Sequence, residues 1–167
     1  MIFRKYIQLK NNRLRKKNNS ESHSVSYNEA KLIGIVFTHK SVSQIDWAEQ
    51  LSALFRKDGK KVKIMAYEPS REVNHLPFDT FTDKDITFWG NYTRSNVNTF
   101  IAEQFDFLFC IDEEPNTIVE NILMSSHAKC RVGKYREGSE DIYDLMIAPG
   151  TDNEWLSGMH TYVKRIN

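Results

Sequence analysis

Two apolar runs of strand length, the near-continuous Leu32 to Phe37 and the still more hydrophobic Phe105 to Ile111 with Asp106 as its one charged residue, constrain this chain more than any other feature. A strand with one face in water alternates apolar and polar residues. A run apolar at nearly every position must be covered on both faces, as in the parallel sheets of α/β proteins. The second run is the more hydrophobic and is expected at the centre of the sheet. Between and after the two runs, strand-like and helix-like segments alternate. Val62 to Tyr67, Ile86 to Trp89, Lys129 to Tyr135 and Tyr143 to Ala148 read as further strands.

The intervening segments have helical spacing and start signals. Ser43 with Asp46 opens a helix burying Trp47, Ala48, Leu51, Leu54 and Phe55, which Gly59 ends. Ser95 opens another, with Val97, Phe100 and Ile101 inward. Thr117 and Glu120 form a capping pair ahead of Ile118, Val119, Ile122 and Leu123. Thr151 and Glu154 open a last helix bearing Trp155, Met159, Tyr162, Val163 and Ile166. Single helices alternating with strands imply right-handed crossovers. The expected fold is therefore α/β, a three-layer sandwich with a mostly parallel sheet, plus a basic N-terminal helix or arm. Strand order is not readable.

Charge divides the chain unevenly. Residues 1–19 hold Arg4, Lys5, Lys10, Arg13, Arg15, Lys16 and Lys17 and no Asp or Glu, although the whole chain is only +1. The remaining 148 residues carry 16 basic and 22 acidic side chains, a net of about −6. The expected organisation is a basic arm over 1–19, a Ser- and Asn-rich linker over 20–30 and one domain over 31–167. Within the arm, Phe3, Ile7 and Leu14 share one side of an amphipathic helix, with Tyr6 beside them. No apolar run approaches the roughly 20 residues of a membrane span, and charge interrupts the apolar residues a secretory leader would need. Cys110 and Cys130 lie in strand-like runs, which argues for buried thiols, no disulfide framework and a cytoplasmic location.

Ligands of open α/β sheets sit beyond the carboxyl ends of the strands. Thr38-His39-Lys40-Ser41 occupies such a position but has no glycine, as both the dinucleotide fingerprint and the P-loop require. Asp112-Glu113-Glu114 follows the central strand, and reads as an acidic loop before a helix more readily than as a magnesium or phosphoryl site. Thr38, Ser41, Asp112 and Glu113 are kept as a candidate ligand pocket. His127 and Cys130 have metal-like spacing without a second close pair, so neither a metal nor another cofactor is expected. Trp89-Gly90-Asn91-Tyr92 reads as pocket lining or packing.

Phe105-Asp106-Phe107-Leu108, Ser126-His127-Ala128-Lys129, Val132-Gly133 and the Trp155–Ile166 helix resemble a family of small bacterial α/β proteins known only as a domain of unknown function. That resemblance implies the fold and no activity. Phe105 through Arg131-Val132-Gly133 is also similar to the N-terminal half of heptosyltransferase-like enzymes, whose second domain this chain lacks the length to hold.

The leading functional expectation is a non-enzymatic cytoplasmic accessory protein, whose body contacts a protein partner and whose seven arm cations bind RNA, plausibly on a ribosomal particle. Phe3, Tyr6 and Tyr27 are candidates for stacking on bases or for packing. One alternative lays the arm on an anionic membrane surface. Another is a small enzyme acting on a phosphorylated or nucleotide-linked metabolite at Thr38, Ser41, Asp112 and Glu113.

Overall fold

The computed structural model describes residues 2–18, 25–69, 76–148 and 154–166. Its centre is built from the two apolar runs. β1 (Leu32–Thr38) and β4 (Phe107–Cys110) lie side by side in parallel, Ile33 opposite Phe107. Their alternate residues go to opposite faces. Ile33, Ile35, Phe37, Phe107 and Phe109 enter one core, and Val36, Leu108 and Cys110 the other. Burial on both sides is why the runs are continuous rather than alternating.

β2 (Lys61–Glu68) pairs with β1, and β3 (Asp79–Thr82) with the second half of β2. On the other flank β5 (Cys130–Lys134) pairs with β4, and β6 (Leu145–Ile147) with β5. All five pairings are parallel, in the order β3-β2-β1-β4-β5-β6. The direction of winding reverses between β1 and β4, which makes this a doubly wound sheet.

α2 (Val42–Lys57) and α5 (Glu154–Val163) cover one face, burying Ala48, Leu51 and Phe55 beside Trp155, Met159 and Val163. α3 (Ser95–Ala102) and α4 (Thr117–Ser125) contribute Val97, Phe100, Ile118, Val119, Ile122 and Leu123 to the core of the other face.

Several local expectations need correction. The third strand is not Ile86–Trp89: it lies earlier, and Ile86 makes only an isolated antiparallel bridge with Tyr92. β3 is a sheet edge with Phe81 as its one buried residue, so it has no apolar period to read. Ser41, not Ser43, caps α2, because Gln44 reaches back to the amides of Lys40 and Ser41 at 2.6 and 3.1 Å. Arg94 occupies the cap position of α3. Asn116 caps α4, accepting from the Ile118 amide at 2.9 Å. Thr151 lies outside the described residues.

The expected basic N-terminal helix is present. It is α1 (Ile2–Asn18), and it is docked on the domain. Ile7 is wholly buried, in one cluster with Val36, Met65, Tyr67 and Phe81, and Phe3 and Leu14 pack at its margin. The described end of the expected linker is also packed. Tyr27 is 3% exposed, donates to Asp58 at 2.7 Å and hydrogen-bonds through its amide to the Ile166 carbonyl.

Candidate functional site

The fold directs attention first to the crevice where the winding reverses, between the carboxyl ends of β1 and β4. Three of the four pocket residues expected from sequence, Ser41, Asp112 and Glu113, line a cavity of about 360 Å³ there, with Lys40, Ser43, Gln44, Trp47 and Glu114. Thr38 lies against it through Asp112, which accepts from the Thr38 amide and the Thr38 hydroxyl, both at 2.6 Å. Burial raises the Asp112 carboxyl above its ordinary range, against the pull of the two Thr38 hydrogen bonds and of Lys40 and Arg136. Asp112 thus ties the end of β4 to the end of β1.

Several of the donors that could meet a phosphate in this crevice are engaged within the protein. Gln44 Oε1 takes the amides of Lys40 and Ser41, and the hydroxyls of Ser41 and Ser43 bond each other at 2.7 Å. Lys40 is paired with Glu114 at 3.1 Å. Glu113 and Glu114 at the rim repel an anion, and no glycine between Thr38 and Ser41 lets a pyrophosphate reach the backbone. Nor do the carboxylates gather into a cation site: among the described residues no group of three or more His, Cys, Asp or Glu could hold a metal. His127 is exposed and Cys130 buried.

The second candidate is the surface built on α1. Packing divides the seven cations expected to bind nucleic acid. Arg4 donates to the Tyr67 hydroxyl at 3.1 Å and stands 3.8 Å from Asp83. Lys10 donates to the Gly90 carbonyl at 2.9 Å and to Asn91 at 2.6 Å, and burial lowers the pKa of its ammonium. Arg15 lies 3.9 Å from the largely buried Glu120. These three hold the helix down. Between them Asn11, fully buried, donates to the Thr117 carbonyl at 2.9 Å and accepts from Asn121 at 2.8 Å; Tyr92 in turn donates to Asn121.

Lys5, Arg13, Lys16 and Lys17 are exposed on the outer side of α1. Lys5, Arg13 and Lys16 have no ion-pair partner among the described residues. Cations in the last helical turn also complement the helix dipole, which accounts for Lys16 and Lys17 without a ligand. The dipole gives no reason for Lys5, in the first turns, where a positive charge is unfavourable.

Beside this row stands a group that sequence reasoning missed as a surface feature. Phe88 is 49% and Trp89 60% exposed, and both touch Tyr6 of α1, with ring centroids 5.3 and 5.0 Å away. Their neighbours in sequence offer no sign that they face water. Of the three aromatics proposed for stacking, only Tyr6 reaches the surface group, since Tyr27 is buried in the opposite core and Phe3 packs on the inner face of α1.

Fold and surface together define a doubly wound parallel α/β protein, with an N-terminal helix docked across one face and a switch-point crevice lined in part by Asp112, Glu113 and Glu114. The chain belongs to DUF6913, a family of unknown function, which it matches over residues 4–165, most of α1 included. No curated protein matches it. Neither comparison supports the similarity of the Phe105–Gly133 stretch to heptosyltransferase-like enzymes. No helix among the described residues is long and apolar enough to cross a membrane.

Proposed function

We propose that this protein is a cytoplasmic, non-enzymatic accessory protein that binds RNA through the outer face of α1, with a ribosomal particle as a candidate setting and a protein partner on the α/β body. The observation that carries this reading is the division of labour on α1. Arg4, Lys10 and Arg15 clamp the helix, while Lys5, Arg13 and Lys16 stand exposed and unpaired among the described residues. The cations are thus presented from a fixed helix, so that only their side chains, and not the backbone, have to be ordered when they meet phosphates. The rest of the chain is net acidic, so a polyanion is steered to this face and repelled elsewhere.

Each cation paired with a single-strand phosphate contributes about 0.7 to the slope of log affinity against log salt. With three or four outward cations engaged, a slope of roughly −2 to −3 is expected. Replacing Lys5, Arg13 and Lys16 by Gln should flatten it by about 2. The measurement is a salt titration of binding to ribosomal RNA. Unchanged affinity in the substituted protein, or no binding by either protein, rejects the proposal.

The membrane reading draws on Ile2 and Leu9, 57% and 56% exposed on the same helix. Lys5, Asn12, Arg13 and Lys16 share that surface, however, and would be drawn below the headgroups with them. The enzyme reading has less support still, because Gln44 takes the amides of Lys40 and Ser41 and the crevice is lined by Asp112, Glu113 and Glu114.

A further inference from the structure

Resting on the RNA reading, we infer that Tyr6, Phe88 and Trp89 form a stacking platform for unpaired bases, so that the partner is single-stranded rather than duplex RNA. The three rings brace one another edge-on or tilted, with centroids 5.0 to 5.3 Å apart and interplanar angles of 52°, 70° and 85°. Each ring is steadied by its neighbours. Phe88 and Trp89 nevertheless keep about half of their surface in water, an unfavourable placement for two large apolar side chains unless something covers them.

The turn that carries them is held firmly. The Gly90 amide donates to the Thr87 carbonyl and the Thr87 amide to the Asn91 carbonyl, both at 2.8 Å; the Asn91 amide donates to the Thr87 hydroxyl at 3.0 Å. Gly90 has a φ of +71°, and a Cβ there would stand 2.9 Å from the Ile7 side chain, so only glycine lets the turn lie this close to α1. Lys10 then fastens α1 to the turn through Gly90 and Asn91. The platform and the cation row are one rigid unit.

Charge complementarity selects the occupant. Lys5 adjoins Tyr6 in sequence, and Arg13, seven residues after Tyr6, returns to the same flank of α1 about 10 Å along its axis. Phosphates on the outward cations leave the bases of the same strand beside the aromatic rings. A duplex keeps its base faces stacked internally and cannot use the platform, whereas an unpaired base of any identity can.

The test uses the full chain and its Trp89→Ala, Phe88→Ala and Trp89→Phe variants. Four probes are compared: a short oligouridine, an RNA duplex of equal charge, linear polyphosphate, and phosphatidylserine vesicles. The expected result is that oligouridine binds more tightly than duplex or polyphosphate. Trp89→Ala should weaken oligouridine binding roughly tenfold without changing its salt slope or the affinity for polyphosphate, and Trp89→Phe should restore most of the loss. Both residues are exposed, so the melting temperatures should stay near that of the parent. If oligouridine and polyphosphate bind equally and Trp89→Ala changes neither, the platform is overturned while the electrostatic reading stands. If no RNA binds at all, both fall. Vesicle binding that Trp89→Ala abolishes while RNA binding is untouched would make the ring group a membrane contact and overturn the inference.

Discussion

The docking of α1 can be tested by truncating one side chain, Ile7→Ala. Ile7 has no exposed surface and belongs to the same core cluster as Val36, Met65, Tyr67 and Phe81, which come from the three strands β1, β2 and β3. Removing its buried methyl groups forfeits transfer free energy and leaves a cavity, together about 2–5 kcal/mol. A helix lying on the outside of the core can settle into part of that gap, so a figure near 3 kcal/mol is appropriate. For a domain of this size about 1 kcal/mol shifts the melting temperature by 2–4 °C, which places the expected drop at about 6–12 °C. Leu9→Ala is the control. It lies on the same helix but is 56% exposed, and should change stability by no more than about 0.5 kcal/mol.

Asn11→Ala supplies an independent arm, because it strands the Asn121 side-chain amide in the interface at a cost of about 1–3 kcal/mol. The Asn11→Ala/Asn121→Ala double variant should cost less than the sum of the two single changes. Scanning calorimetry, with urea unfolding followed by circular dichroism, measures the parent and all five variants. If Ile7→Ala melted within the range of Leu9→Ala, α1 would be an appendage as its composition suggests, and the rigid presentation of its cations would lose its basis.

Three further outcomes follow from the packing. Burial opposes ionisation of Asp58, but hydrogen bonds from Tyr27, His160 and Lys164 outweigh it and hold the carboxyl at about 2, below its ordinary 3.8. Its stabilising contribution is therefore complete above the ordinary value and lost as pH falls through about 2, so Asp58→Asn should be less stable than the parent at neutral pH, with the gap closing between those values in pH-dependent urea titrations; a constant gap down to pH 2 would refute the assignment. A Cβ on Gly133 would stand 2.3 Å from the buried Tyr143 ring, so Gly133→Ala should lose roughly 1–3 kcal/mol by chemical denaturation, and a neutral result would show that the ring has room to move. Burial pushes both the Cys110 and the Cys130 thiols up to about 12, so a chromogenic disulfide reagent at neutral pH should react with them only after unfolding, and prompt labelling of the native protein would contradict their burial.

How far the sequence alone reaches is set by the range of the forces involved. β1, β4, the buried stripe of α2 and the inert cysteines were legible because burial on one face or two imposes a period on consecutive residues, and that period survives without any knowledge of the partner. The α/β class follows from the order of such segments. The arrangement 3-2-1-4-5-6 does not, because each strand's neighbours are chosen by pairing across many residues. β3 was hidden for a related reason: an edge strand with one buried side chain has almost no period.

The candidate site was half legible. Its cations and Tyr6 stand out by composition. Their division into clamping and outward groups depends on Asp83, Gly90, Asn91 and Glu120, all more than 75 positions away. The same holds for the buried Asn11, a polar residue that only Asn121, 110 positions on, makes tolerable inside the interface. In sequence Phe88 and Trp89 look like core residues, since hydrophobicity records what a side chain prefers and not where the chain leaves it. The Thr87–Asn91 turn and its contact with α1 carry both rings to the surface. Local patterns thus determined which elements form, and long-range packing decided that the basic segment is part of the fold and which of its charges face outward.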